Sequence, residues 1–130
     1  MKALAPPPPG PPPAPERWAL KAGDAATATL LIPADLKRER RFEIACAITV
    51  AVPETATGPA PWLQMTVQAD GAQQWQRRLP AQNPGEFDGL DFRFSRSVPV
   101  GKPLRIAVSV AGQGVRRRTL HIEADEQNDG

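Results

Sequence analysis

The sequence has very little with which to do chemistry. Its 130 residues include one cysteine, one histidine, no tyrosine, three tryptophans and four phenylalanines. A lone cysteine, Cys46, excludes an intrachain disulfide, and one cysteine with one histidine cannot build a zinc site within one chain. No apolar run reaches membrane-spanning length. Met1-Lys2-Ala3-Leu4-Ala5 runs straight into proline, without the apolar stretch of about 7–15 residues that a secretory signal carries. With no disulfide framework either, a cytoplasmic location is expected, a secreted fragment being the alternative. The net charge is only +2, and the few aromatics are needed inside, so no nucleic-acid partner is expected. No glycine motif cradles a phosphate, and no serine or cysteine stands at a readable spacing from His121. Catalysis, a metal and a cofactor are therefore not expected.

What the chain does have is proline, crowded at one end. Eight of its sixteen prolines fall within the first fifteen residues. Proline has no backbone donor and a fixed φ, so Pro6 to Pro15 can join neither helix nor sheet, and residues 1–16 read as an arm or linker. They form a polyproline II arm, extended at about 3.1 Å per residue. Such an arm serves as a spacer or as a docking ligand for an aromatic groove.

From Arg17 onward the apolar residues alternate with period two, interrupted by turn residues. The clearest strand is Arg41 to Val52, with Phe42, Ile44, Cys46, Ile48, Val50 and Val52 on one side. Further strands are expected at Arg17–Ala22, Ala26–Ile32, Pro61–Ala69 and Gln73–Leu79. Leu90, Phe92, Phe94 and Val98 make another core face. Leu104 to Val110 follows, then a closing strand to Glu123. Only Ala34 to Arg40 allows a turn of helix, with Pro33 at its start. The spacing predicts an all-β, antiparallel two-sheet β-sandwich, jelly-roll or Ig-like, of seven or eight strands over residues 17–123. A polar, acidic tail, 124–130, is expected to fray.

Register decides which side chains face outward. Around Asp70-Gly71, a three-residue loop sets Leu63 opposite Leu79 and Val67 opposite Trp75, keeping apolar residues on one face. A two-residue loop would mix the faces. By the same logic Gly112-Gln113-Gly114 reads as a hairpin pairing Ile106 with Leu120 and Leu104 with Ile122. Phe92-Arg93-Phe94, Val98-Pro99-Val100-Gly101-Lys102-Pro103-Leu104-Arg105-Ile106 and this glycine turn together resemble the last strands of jelly-roll carbohydrate-binding modules, and are similar to Ig-like sandwiches. The likeness covers about 30 residues and concerns the fold, which does not by itself imply function.

Two outward faces follow. One carries the small residues Ala45, Ala47, Thr49 and Ala51, over which a loop, the arm or a protein partner can lie. It supports a non-catalytic accessory or interaction module that binds another protein or itself. The other carries Trp62, Gln64, Gln68, Gln74, Gln76 and Arg78. Amides that donate and accept, beside an indole plate, suit a carbohydrate, which is the alternative function. The remaining polar clusters read as structural. His121 falls on the surface and Cys46 in the core, where a thiol acts as a small hydrophobe. Lys37-Arg38-Glu39-Arg40-Arg41 and Arg116-Arg117-Arg118 read as solvated charge. The carboxylates of Glu86 to Asp91 lie at a loop-to-strand junction of the kind that can hold calcium, but match no EF-hand spacing.

Overall fold

The computed structural model describes residues 14–53, 60–81 and 87–127. The proline-rich run up to Pro13, the Asn83-Pro84-Gly85 turn, Glu86 and the last three residues lie outside that set. The described chain forms β1 (Arg17–Lys21), β2 (Thr27–Ile32), β3 (Arg40–Ala51), β4 (Trp62–Ala69), β5 (Ala72–Pro80), β6 (Phe87–Val98), β7 (Leu104–Gln113) and β8 (Arg116–Glu126). All pairings are antiparallel, and they make two four-stranded sheets, ordered β1-β8-β3-β6 and β2-β7-β4-β5.

The pairing has a simple logic. β1 pairs with β8, β2 with β7, β3 with β6 and β4 with β5. The chain is thus one long antiparallel ribbon with its tip at Asp70-Gly71. Rolling the ribbon brings β8 beside β3 and β7 beside β4, which is the jelly-roll. Rolling is what the alternation demands. Each strand has one apolar side, and only a second layer can bury it. On β3, Phe42, Ile44, Cys46, Ile48 and Val50 are at most 1% exposed. They pack with Leu63, Met65, Val67, Ile106, Leu120 and Ile122 in one core. A fully buried aliphatic side chain of this kind contributes about 1.5–3 kcal/mol.

Four local expectations differ from the structure. Leu63 does face Leu79 and Val67 does face Trp75, but Ala69 pairs with Ala72 and Gln68 with Gln73. The loop is the two-residue Asp70-Gly71, both with positive φ (50° and 83°), and a bulge at Gln74 restores the register. Ile106 and Leu120 are not partners either: β7 and β8 lie in different sheets, Ile106 opposite Leu30 and Leu120 opposite Ile48. Gly112 to Val115 carries the chain across the sandwich. A Cβ on Gly112 would lie 2.6 Å from Val115 Cγ2 and 3.1 Å from the Trp62 carbonyl oxygen, so the crossing is too tight for a side chain. Ala34 to Glu39 forms no helix. Finally, Ala124 is fully buried and β8 continues through Glu126, so the strand runs past the expected start of the tail.

Candidate functional site

The alanine face is the outer side of the first sheet. β3 lies between β6 and β8, so its small residues are flanked on both sides. Ala45 stands between Arg93 and Glu123, Ala47 between Asp91 and His121, and Thr49 between Gly89 and Thr119. Ala45 and Ala47 project one carbon from the sheet while Arg93, Glu123, Asp91 and His121 beside them project several, whereas Thr49 has the small neighbours Gly89 and Thr119. The result is a shallow channel about two strand spacings, roughly 10 Å, wide. Its floor residues are half-buried, while Arg93, Asp91 and Glu123 on its banks are exposed. Polar ties hold the relief at both ends. Ser95 Oγ donates to Glu43 Oε2 at 2.7 Å, and the Thr49 and Thr119 hydroxyls bond to each other. Gly89 is fixed by the close approach of β3, since a Cβ there would lie 2.6 Å from the Ile48 carbonyl oxygen.

The glutamine face is the outer side of β4 and β5. The register sets Gln64 opposite Arg78 and Thr66 opposite Gln76. The structure brings Trp62, Gln64 and Arg78 together and adds Gln113, which the sequence pattern did not single out. Arg78 Nε donates to Gln64 Oε1 at 3.0 Å. Its guanidinium carbon lies 3.8 Å from the Trp62 ring centroid, and Trp62 Nε1 donates to Gln113 Oε1 at 3.0 Å. Gln74 is not part of this group, because the bulge turns its amide to the Ala72 carbonyl oxygen. Gln68 lies further along β4, opposite Gln73, and is exposed. The Trp62 N–H, Arg78 Nε, and the Gln64 and Gln113 amide oxygens are therefore engaged, and one face of the indole is covered.

The reactive residues are held apart. Cys46 is buried in the core, and loss of solvation pushes its thiol up to about 12, so it stays protonated and inert. His121 stands between Lys21 on β1 and Ala47 on β3. Among the described residues no three His, Cys, Asp or Glu side chains gather where they could hold a metal ion. Asp88 to Asp91 lie within β6, paired along β3.

A charged cluster at the end of the sandwich was not legible as such. Arg40 is 3% exposed. Its Nη1 donates to Glu16 Oε1 at 2.9 Å and its Nη2 to the Pro33 carbonyl oxygen at 2.8 Å. Arg38 bonds to both Glu16 and Glu126 and pairs with Asp35 at 3.3 Å. Glu16 also accepts from Trp18 Nε1 at 3.1 Å. The bond from Arg38 holds the Glu126 carboxyl below its ordinary range, and the backbone N–H of Lys37 does the same for Asp35. These charges, expected in solvent, tie both ends of the described chain to the loop before β3. One signal was available: Arg40 continues the inward series of Phe42 and Ile44, and an inward arginine requires acids nearby.

No protein-family model matches the chain, and a search of curated proteins finds no match. Among solved structures, the chain is similar to part of the crystal structure of dimeric latent PorU from Porphyromonas gingivalis. The two are 15% identical with a TM-score of 0.46 over 88% of this chain, which spans 13% of the length of that protein.

Proposed function

We propose that this chain is a non-catalytic interaction module that binds another protein along the outer face of its first sheet. The observation that carries this reading is the channel floored by Ala45, Ala47, Thr49 and Ala51. Its β6 bank carries Arg93 and Asp91 and its β8 bank carries Glu123. A floor without long side chains loses little side-chain entropy when covered, and charged banks can fix orientation. The disposition of the reactive groups supports the non-catalytic part. Cys46 is buried, His121 has Lys21 and Ala47 as strand neighbours, and the buried arginine is engaged by its own carboxylate. A sugar stacked on the indole face that Arg78 covers would first have to displace it, which disfavours the hairpin face as a sugar platform.

Affinity capture from the native source tests the proposal. Wild type should retain a protein that Ala47→Arg, which fills the channel, releases, while both show the same thermal unfolding. Retention unchanged in Ala47→Arg, or no retained protein with wild type, would defeat it.

A further inference from the structure

The four edge strands of the sandwich are not alike. β1 carries Arg17 and Lys21 on its short run. β5 ends in Pro80, contains the bulge at Gln74, and turns the exposed Arg77 to the same side as Trp75 and Leu79. β6 carries Asp91 and Arg93 outward, with Arg96 on its inner side, 3.8 Å from Asp70. Charges, inward-pointing cations, proline and bulges are the means by which sheets keep their edges from pairing with other chains. β2 has none of them. It reads Thr27-Ala28-Thr29-Leu30-Leu31-Ile32, uncharged and rich in β-branched residues, with Leu31 58% exposed.

The phase of its hydrogen bonding is also fixed. Val110 N donates to the Ala26 carbonyl oxygen at 2.8 Å, so Ala28, Leu30 and Ile32 exchange bonds with β7. The N–H and C=O groups of Thr27, Thr29 and Leu31 therefore turn to the open edge. No strand among the described residues pairs with β2 on that side.

We propose that two copies of this chain join edge to edge through β2, antiparallel and centred on Thr29. A two-fold axis there sets Thr29 opposite its own copy and Thr27 opposite Leu31 of the second copy. The outward groups of these residues then make about six backbone hydrogen bonds. In a two-fold pair a residue at the centre meets itself, and the residues flanking it meet each other across the axis, so in β1 Arg17 would face Lys21 of the second copy, like charges that destabilise. β1, with a cation at each end, is unfit for such pairing. β2 brings no charge to it. The register also places the exposed Leu31 against Thr27, at the lip of a hollow of about 220 Å³ whose walls include Thr27, Thr29, Ala107, Ser109 and Gln68. This contact lies on the opposite sheet from the alanine channel and does not depend on it.

Analytical ultracentrifugation of the full chain, from dilute to near-millimolar, is the test. The weight-average mass should climb towards twice that of one chain. Thr29→Lys sets two like charges face to face on an exposed position and should weaken association about tenfold, with partial recovery in high salt. Thr29→Pro removes the outward N–H but no bond to β7, and should do the same without salt recovery. Thr66→Lys, on the outer face of β4 away from the edge, should leave association unchanged. Thermal unfolding of each variant confirms the fold. A wild type that stays monomeric throughout overturns the proposal, as do folded Thr29→Lys and Thr29→Pro proteins that associate like wild type.

Discussion

The indole of Trp75 lies parallel to the ring of Phe92, with centroids 4.8 Å apart and planes 7° apart, although the two residues sit on edge strands of different sheets. Phe94 continues the stack at 5.5 Å from Phe92. The aromatics bridge the gap on the side where Arg77 and Arg96 occupy inward positions of the two edge strands. Phe92→Ala should destabilise the domain by about 2–4 kcal/mol in urea unfolding, somewhat below the cost at a fully buried ring because this one is half-buried. A double-mutant cycle with Trp75→Ala should recover a coupling of about 1 kcal/mol. Additive losses would mean that the rings merely fill space separately.

Arg40 should be costly to remove. Its side chain is only 2% exposed and satisfies Glu16 and the Pro33 carbonyl together. Arg40→Ala removes the donor to the Pro33 carbonyl and leaves Glu16 with Arg38 as its remaining counter-charge, for a loss of about 1–3 kcal/mol by chemical denaturation. Arg40→Lys reaches one partner but cannot fork to both, and should recover less than half of the loss. Equal stability of Arg40→Ala and wild type would refute the cluster's role.

The contrast between these two features shows where sequence reasoning works here. Trp75 was placed inward because the apolar residues of the 61–80 segment align in only one register, and a one-residue slip would have exposed them all. Alternation is a local signal, so it identified the strands and the two outer faces. The exchange of partners between β7 and β8 is not local. A glycine turn between two apolar runs looks the same whether the chain folds back within a sheet or crosses to the other, and only the closure of the whole ribbon decides. The Arg38–Glu126 contact has the same character, since the residues are far apart in sequence and meet only once β8 lies beside β3. On the glutamine face, the sequence showed which residues point outward but not that Arg78 lies over Trp62.

Acid should loosen the molecule through Glu126. Its hydrogen bond from Arg38 lowers the carboxyl from its ordinary 4.5. A folded value below the unfolded one means that this stabilisation is fully present above about pH 4.5 and is lost as the pH falls through the folded value. Asp35, lowered from 3.8 by the Lys37 N–H, acts in the same direction somewhat further into acid. Thermal unfolding followed below pH 4.5 should fall more steeply for wild type than for Glu126→Gln, which lacks the titrating group. Parallel acid limbs would remove Glu126 from the explanation.

Cys46 should be silent until the domain opens. Burial keeps the thiol protonated, pushing it up to about 12, and β3 is central in its sheet. Alkylation of native protein at mildly alkaline pH should therefore proceed at the rate set by unfolding and accelerate in step with urea. Cys46→Ser, which places a hydroxyl in the same apolar site, should cost about 1–3 kcal/mol. Rapid labelling of the folded protein would contradict the burial of this strand.

The hairpin face gives a decision between protein and sugar that does not depend on finding a partner. Arg78 stacks on Trp62 and is exposed, so Arg78→Ala should cost no more than about 1 kcal/mol, the range for a surface cation–π contact. It also uncovers the indole. If this face were a sugar platform, Arg78→Ala would bind glycans at least as well as wild type, while Trp62→Ala would bind none. If the face is an ordinary wet surface of an antiparallel sheet, no glycan signal should follow Trp62 in either background. The second outcome is expected, because Arg78 lies over the Trp62 indole, and the Trp62 N–H, Arg78 Nε and Gln64 Oε1 are already engaged at 3.0 Å. A Trp62-dependent signal on a glycan array would move the ligand site from the alanine channel of the first sheet to the hairpin of the second.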